Sequence, residues 1–551
     1  MCLASTIVFK NTKQTYGVND DVIIQNWLSG FYTGSPELMI RGSATPRISF
    51  GFIVSNLYEL LPSINWFTII ILFAILYSWF LIGLLAYRSK NILTIATYVV
   101  ISFLHLLWFI PSPTYTAAAV MLSFSTLIFM TKKISEHKVN SIFVLLSIPY
   151  VLGFLIRPES FFLGSAAALP TICITLFRNK LIIREKMKFI VISIAMGLTI
   201  LGIDLAFENI YYKNHSNWVQ YKSWESARYK IQANAPEKAV LENPSKYGWT
   251  KAEAVTFQFY NSIDPEYFTT SKLEKLIIDS QKTTSLNMNF LSKAHQQIFD
   301  SEINWEWKRL INLVMFIYLL FLIASFPNPF KFLMLSGSSL LVIYVVMLYV
   351  AGFLRQPERV QVSVIFLSIL VSWTSFLFVE KSQHKNEFNQ FEIISWLIFV
   401  LVIVNSYNQA LYLKSKVAGA SNVFWSDQVS YLSKFPNDTI FVGEARQFRN
   451  NWISPYKVSY FDVEERIFSF GWHNFSPHWV KRAENLGLDP NNMFQSVIQN
   501  PRVYWVSDPK TMEYIVTFMK EQDYSFSGPE IVGEMKFVDD EYKVWNFNPS
   551  E

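Results

Sequence analysis

Long apolar runs separated by short polar segments dominate the hydropathy pattern of this 551-residue chain. Runs of roughly 17–23 mainly apolar residues match the hydrocarbon thickness of a bilayer when they are helical. The pattern therefore predicts an α-helical polytopic membrane protein with about ten spans. The spans are expected at residues 64–87, 91–110, 115–131, 139–156, 161–177, 189–207, 310–326, 332–353, 361–379 and 391–410.

The apolar stretch at 47–62 differs from these runs, because Asn56 and Glu59 interrupt it. Such a mixed pattern is typical of an amphipathic helix that lies at a membrane surface. The remaining polar segments divide the chain into five parts. These are an acidic N-terminal loop with the surface helix (1–63), a first bundle of six spans (64–207), a large loop (208–308), a second bundle of four spans (309–412) and a C-terminal domain (413–551).

Two of these parts have patterns typical of folded structure outside a membrane. The loop 208–308 is polar and aromatic, with helical periodicity in two pieces, 251–260 and 272–281. The C-terminal part alternates short β-prone runs with helical patterns, which predicts a small α/β domain. Its strands are expected at 439–442, 502–506 and 542–547, and its helices at 491–499 and 510–521.

The distribution of lysine and arginine predicts the orientation of the spans, because cytoplasmic loops carry the excess of positive charge. One set of loops carries nearly all the basic residues, whereas the opposite short loops carry only Arg157, Arg355 and Arg359. The basic set is therefore cytoplasmic. The N-terminal acidic segment, the loop 208–308 and the C-terminal domain are then extracytoplasmic, in a multi-pass membrane protein.

Composition narrows the function classes. The chain is 51% hydrophobic and 17% aromatic, which is too apolar for an ordinary soluble enzyme. No basic tract interleaved with aromatics suggests a nucleic-acid partner. The two cysteines, Cys2 and Cys173, are too few for a disulfide framework.

An acidic pair, Asp20 and Asp21, stands just ahead of the first apolar segment. Aspartates at a helix start are favoured as caps, which is one interpretation. The other is a general base, since a carboxylate at the membrane surface can take the proton of an attacking hydroxyl group. The acidic pair is also weak evidence for a divalent cation, which prefers oxygen ligands but needs several of them.

Two short outer loops carry arginine beside glutamate and proline. The first contains Arg157 and Glu159, and the second contains Arg355, Glu358 and Arg359. A snorkelling arginine and a first-turn glutamate would account for either loop alone. Both loops depart from the charge bias that the other loops follow, which favours a functional use. Arginine forks stabilise phosphate charge without losing their own protons, and the glutamates would hold them in place.

Residues 16–22 (Tyr-Gly-Val-Asn-Asp-Asp-Val), residues 28–37 (Leu-Ser-Gly-Phe-Tyr-Thr-Gly-Ser-Pro-Glu) and the two arginine loops resemble a group of multi-span proteins of low-GC Gram-positive bacteria. The general plan resembles the GT-C glycosyltransferases, which take sugars from polyprenyl-phosphate donors on the outer leaflet. The resemblance implies a GT-C-like bundle in which Asp20 or Asp21 is the essential acidic residue of the first outer loop. That family usually has a span ahead of this loop, where residues 1–9 are apolar but too short to cross a bilayer.

Three functions are compatible with these observations. The favoured one is a membrane glycosyltransferase that moves a hexosyl or pentosyl group from a polyprenyl-phosphate donor to a cell-envelope glycan. Its catalytic residues would be Asp20 or Asp21, and its substrate-binding residues Arg157, Glu159, Arg355, Glu358 and Arg359. A transporter or flippase of lipid-linked glycan would need polar residues through the whole bilayer. A non-enzymatic envelope scaffold would leave the charged loops unexplained.

Overall fold

The computed structural model describes most of the chain, and nineteen of its described segments are α-helical. The described residues are 19–38, 46–135, 142–178, 183–233, 241, 243–281, 305–325, 328–353, 358–379, 390–419, 421–445, 447–448, 455–456, 464–536 and 541–549. Residues 1–9, for which a short apolar segment is noted above, lie outside them.

The first eleven helices extend from the acidic segment to the loop 208–308. They are α1 (Asn19–Leu28), α2 (Ile48–Leu60), α3 (Trp66–Ser89), α4 (Ile92–Phe109), α5 (Tyr115–Ser135), α6 (Ile142–Ile156), α7 (Pro158–Arg178), α8 (Ile183–Asn214), α9 (Ser216–Ala233), α10 (Lys251–Gln258) and α11 (Thr270–Gln281).

The second group of helices completes the bundle and enters the C-terminal domain. They are α12 (Trp305–Ala324), α13 (Pro329–Phe353), α14 (Glu358–Val379), α15 (Gln390–Gly419), α16 (Ser421–Leu432), α17 (Pro477–Asn485), α18 (Met493–Gln499) and α19 (Pro509–Glu521). Two 3₁₀ turns also occur, at Pro244–Tyr247 and Glu464–Arg466.

A helix covers most of the described residues of each of the ten predicted spans. Within the described residues, five helices are long and apolar enough to cross a membrane: α3, α4, α5, α13 and α14. Shorter apolar helices lie at Ile48–Leu60, Leu146–Ile156, Ile311–Ala324 and Ile393–Tyr407. The predicted fold class, an α-helical membrane protein with a small α/β domain, is confirmed.

Helix α2 is the predicted surface helix, and its two faces differ. Phe50, Val54 and Tyr58 are buried against the protein, whereas Phe52 and Ile53 are about half exposed. An apolar exposed face is typical of a helix that contacts lipid. Helix α8 extends beyond the predicted span 189–207 in both directions, from Ile183 to Asn214, and α9 begins at Ser216.

Helix α5 lies at the centre of the bundle. Of its most apolar stretch, 94% is buried, compared with 50% for α3 and α4. Small residues such as Ala117 and Ala118 let neighbouring helices approach closely. Gly164 of α7 shows how close, since a Cβ atom there would lie 2.4 Å from the carbonyl oxygen of Val120. Side chains that reach the α5 helix are therefore fixed by dense packing.

The C-terminal domain contains a five-stranded sheet in the order β2-β1-β3-β5-β4. Its strands are β1 (Ile440–Glu444), β2 (Ile467–Phe470), β3 (Val503–Ser507), β4 (Phe526–Lys536) and β5 (Glu541–Pro549). Strands β2, β1 and β3 are parallel, and β5 and β4 continue the sheet antiparallel. The predicted strands at 439–442, 502–506 and 542–547 match β1, β3 and β5, whereas β2, β4 and α17 were not predicted.

A shared aromatic core joins this domain to helices α9–α11. Trp218 and Trp224 of α9 pack in one cluster with Phe468, Trp479 and Phe518 of the domain. Asn474 strengthens the contact by donating from Nδ2 to the backbone oxygens of Tyr260 and Ser262. The loop 208–308 and the C-terminal domain therefore pack against each other, while the five-part division of the chain remains a prediction.

Opposite ends of the bundle carry different chemistry. At one end, Lys132 of α5 and Lys331 of α13 donate to the carbonyl oxygens of Leu377 and Phe378 at the end of α14. At the other end, the acidic pair, Arg157 and Arg359 lie near the start of α5. This separation agrees with spans that alternate in direction.

We predict that the outer region is accessible from outside intact cells. Single cysteines at Lys246 and Glu513, both exposed, should react with a membrane-impermeant maleimide in a cysteine-free background. A cysteine at Lys90, exposed between α3 and α4, should react only after permeabilisation. Labelling of position 90 in intact cells would contradict the orientation derived from loop charge.

Candidate functional site

Helix α1 carries the acidic pair into the interior of the protein. Asp20 and Asp21 lie in its first turn, where negative charge is favoured by the helix dipole. The following residues Val22, Ile24 and Trp27 are at most 1% exposed. Helix α1 is thus a buried helix beside the bundle, although its first turn contains two acidic groups.

Arg157 enters the site from the junction of α6 and α7. Its backbone N–H still bonds to Gly153 of α6, and Pro158 begins α7, where proline is well tolerated. The guanidinium carbon lies 4.7 Å from the ring centroid of Tyr115. One nitrogen donates to the hydroxyl group of Thr116. The residue is only 8% exposed, so this arginine is held within the protein.

Arg359 reaches the same tyrosine from the first turn of α14. Its guanidinium carbon lies 5.8 Å from the Tyr115 ring centroid. Its Nη2 atom makes an ion pair of 2.6 Å with Oδ2 of Asp20. Cations over a tyrosine face are attracted by the negative ring surface. Tyr115 therefore lies between two arginines, one of which is tied to the acidic pair.

Asp21 also belongs to this cluster, because it contacts the backbone of Tyr115. The backbone N–H of Tyr115 donates to Oδ1 of Asp21 at 3.3 Å. Burial raises the pKa of Asp21 to about 8, and it outweighs the nearby charge of Arg359, which acts in the opposite direction. Asp21 is fully buried, whereas the Asp20 side chain is 25% exposed. The two adjacent aspartates thus have different electrostatic environments.

Two polar atoms of the arginines remain unpaired. The Nε atoms of Arg157 and Arg359 are buried, and neither has a hydrogen-bond partner within the described part of the chain. Buried donors normally find an acceptor, so such atoms call for an explanation. With Asp21 protonated, the two arginines outnumber the one charged carboxylate. The cluster is therefore suited to accept an additional anion.

The helix termini add to this preference. Helices α5, α7 and α14 all begin at this cluster, at Tyr115, Pro158 and Glu358. The free backbone N–H groups and the dipole of a helix favour anions at its N-terminus. Three such termini, with two arginines between them, make one positive region at this end of the bundle.

The structure brings together Asp20, Asp21, Arg157 and Arg359. Glu159 lies in the first turn of α7 and is exposed. Glu358 is the first residue of α14, but its side chain and the whole of Arg355 lie outside the described residues. The predicted arrangement of Arg355 with the acidic pair remains a prediction. Among the described side chains, the carboxylate that pairs with Arg359 is Asp20.

Tyr115 was not singled out from the sequence. It follows the second span in the segment Pro-Thr-Tyr-Thr (residues 113–116), which contains no charged residue. Its role depends on contacts with Asp21, Arg157 and Arg359, which are about 40 to 240 positions away in the sequence, and no local pattern carries that information. The available signal was its position as the first residue of a predicted span, on the side predicted to be extracytoplasmic.

The C-terminal domain borders the cluster as well. His473 is buried, and burial lowers its pKa to about 4, while the negative charge of Asp20 acts in the opposite direction. Asp20 and His473 are therefore close enough to interact electrostatically. Among the described residues, no group of three or more His, Cys, Asp or Glu side chains could hold a metal ion.

Comparisons with known proteins leave the family open. No protein-family model matches the chain, and no curated protein matches it. Two solved structures of ArnT from Cupriavidus metallidurans are similar, one bound to undecaprenyl phosphate and one in the apo state. Both are 11% identical, with 99% of this chain and 96% of the other covered, and TM-scores of 0.43 and 0.41. Likeness at this level assigns neither a family nor a function.

We predict that Asp21 makes stability depend on pH. Because its pKa is raised to about 8, the folded protein retains a proton that the unfolded chain releases near pH 4. Stability should therefore fall as pH rises from about 4 to about 8, by at most about 1.4 kcal/mol per pH unit. Asp21→Asn should flatten this slope in thermal unfolding followed by tryptophan fluorescence.

The control for this measurement is Glu513→Gln, which changes an exposed carboxylate of α19. It should leave the slope of the parental protein in place. Equal slopes for Asp21→Asn and the parental protein would mean that Asp21 is ionised in the folded state.

Proposed function

We propose that this protein is a GT-C-type membrane glycosyltransferase that takes its sugar from a polyprenyl-phosphate donor. The acceptor is a glycan or glycopolymer of the cell envelope, and the reaction takes place at the outer face. The observation that carries the proposal is the cluster around Tyr115. There a carboxylate, two arginines whose Nε atoms have no partner among the described residues, and three helix N-termini meet at one end of an apolar bundle.

A cluster of this composition suits transfer of a glycosyl group away from phosphate. The bond between the anomeric carbon and the phosphate oxygen breaks, and its electron pair stays with the phosphate. The acceptor hydroxyl oxygen forms the new bond to the anomeric carbon and loses its proton to a carboxylate. The phosphate gains charge as it leaves, so groups that are positive before the reaction stabilise the transition state.

Asp20 is the better candidate for the base. Its side chain is partly exposed, so an acceptor hydroxyl group can approach it. Asp21 is fully buried, and with its pKa raised to about 8 it holds its proton at neutral pH. A protonated carboxyl group cannot accept another proton. Asp21 would instead hold the backbone at the start of α5 through the N–H of Tyr115.

Arg157 and Arg359 would bind the phosphate through their unpaired Nε atoms and adjacent nitrogens. Arginine keeps its charge at all physiological pH values and presents paired donors to phosphate oxygens. Arg359 also contacts Asp20, so it would link the phosphate to the base. Arg355, Glu358 and Glu159 belong to the same two loops, and their predicted contribution to donor binding stands as part of this proposal.

The first test concerns the base. Asp20→Asn should lower the rate of transfer of labelled sugar from a polyprenyl-phosphate donor by about 10²–10⁴-fold in proteoliposomes. Asp21→Asn should retain most of the parental rate, because its carboxyl group is already neutral. Donor binding should persist in both variants. Parental transfer by Asp20→Asn would rule out Asp20 as the base, and loss only in Asp21→Asn would move the role to Asp21.

The second test concerns the phosphate. Arg359→Ala should weaken donor binding and slow transfer together, and Arg359→Lys should recover only part, because lysine lacks the planar fork. Arg88→Ala is the matched control, since Arg88 also lies over an aromatic ring, that of Phe129. If no sugar moves with any donor but labelled lipid crosses the bilayer, the flippase alternative replaces this proposal.

A further inference from the structure

Trp27 connects the helix of the acidic pair to the C-terminal domain. Its ring centroid lies 5.4 Å from that of Trp472, 5.5 Å from that of His473 and 4.9 Å from that of His478. Trp27 is only 1% exposed. Aromatic contacts of this kind contribute about 0.5–1.5 kcal/mol each beyond the burial of area.

Trp27 follows Asp20 by seven residues on α1. Seven residues are close to two helical turns, so both side chains leave the helix on nearly the same face. The face that presents Asp20 to Arg359 therefore also rests on residues 472–478 of the C-terminal domain. A shift of that segment would move Asp20 with it, because both side chains belong to the same ten-residue helix.

The turn after α1 makes a second contact with the same domain. Tyr32 is buried, and the guanidinium carbon of Arg482 lies 5.7 Å from its ring centroid. Gly30 allows this tight turn, since its φ angle is +79° and a Cβ atom there would overlap the backbone of Ser35. The direction in which the chain leaves α1 is thus constrained as well.

An ionic link closes the contact. Glu37 lies 2.7 Å from Nδ1 of His478 and also pairs with Lys481, both in α17. Partial burial raises the pKa of Glu37, but the hydrogen bonds and positive charges of His478 and Lys481 outweigh it and bring the pKa to about 2. The Glu37 carboxylate therefore stays charged across the physiological range.

We propose that the C-terminal α/β domain positions the acidic helix, with Trp27 and Glu37 as the positioning residues. The inference rests on the proposed function, since it assigns the domain a part in the same reaction. Neither residue touches the reacting atoms. They hold α1 between the start of α5 on one side and residues 472–482 on the other, so that Asp20 meets the acceptor hydroxyl group at bonding distance.

This arrangement separates two kinetic effects. The arginines that would bind the donor belong to the α6–α7 junction and to α14, which the domain does not hold through Trp27 or Glu37. Loosening α1 should therefore lower kcat while the KM for the donor changes little. General destabilisation would instead lower the amount of active protein and leave both constants of the folded fraction unchanged.

A charge exchange tests the link. Glu37→Lys and Lys481→Glu should each lower kcat about 10-fold, because small misplacements of a catalytic group are costly. The double variant should recover part of the loss, since it restores the ion pair between positions 37 and 481 with reversed polarity but not the contact of Glu37 with His478. The matched control is the exchange of Glu534 and Lys543, an ion pair of 3.4 Å within the sheet of the same domain, which should change neither constant.

A second pair of variants addresses the aromatic contact. Trp27→Phe should keep most of the parental kcat, because a smaller ring still fills part of the site, and Trp27→Leu should lose more. If kcat is unchanged in Trp27→Leu and in both single charge variants, or if only KM changes, the positioning role is wrong.

Hydrogen exchange of the full-length protein in detergent gives a readout that does not depend on activity. The amides of α1 should exchange faster in Glu37→Lys and Lys481→Glu, and part of the parental protection should return in the double variant. Equal protection of α1 in all four proteins would overturn the inference. If the parental protein transfers no sugar with any donor, the proposed function fails, and the exchange pattern alone then decides whether the domain holds α1.

Discussion

The packing of two arginines against Tyr115 is the interaction on which the rest of the site depends. Burying a guanidinium group is costly unless its charge and its donors are matched. Here the ring supplies the negative faces, Thr116 accepts from Arg157, and Asp20 pairs with Arg359. Because Tyr115 is the first residue of the most buried helix, its position is set by the packing of the whole bundle.

The positive and negative charges around the Tyr115 ring do not cancel. Adjacent aspartates would repel each other if both were charged, and burial removes the charge from Asp21. One carboxylate then faces two arginines whose Nε atoms are unpaired within the described residues. Three helix N-termini add positive potential. The region thus has an excess of positive charge in a partly dry environment, where charge interactions are stronger than in water. This excess supports the proposal of a phosphate-bearing substrate.

Contacts on two sides stabilise helix α1, and these contacts connect the C-terminal domain to the site. On one side Asp21 accepts from the start of α5, and on the other Trp27 and Glu37 contact the C-terminal domain. Neither contact alone defines the position of a helix of only ten residues. Such a short helix is marginal by itself, so tertiary contacts determine where its side chains point. The aromatic core shared with α9–α11 in turn holds the domain in place.

The sequence by itself determined the bundle and the candidate charges. The apolar runs have the length that a helix needs to cross a bilayer, and helices cover most of the described residues of each predicted span. Loop charge indicated which loops share a face of the membrane. Strands β1, β3 and β5 were predictable because their patterns are short and β-prone, whereas β2 and α17 were not, since aromatic residues there suit either state. Local pattern also singled out Asp20, Asp21, Arg157 and Arg359, which depart from the surrounding apolar or charge-poor segments.

Only the tertiary structure decided that these residues meet around Tyr115, that Asp20 and Asp21 differ in burial and protonation, and that Trp27 rests on the C-terminal domain. Those properties depend on contacts across up to about 450 positions and on local dielectric, and neither is encoded in the period of hydrophobic residues.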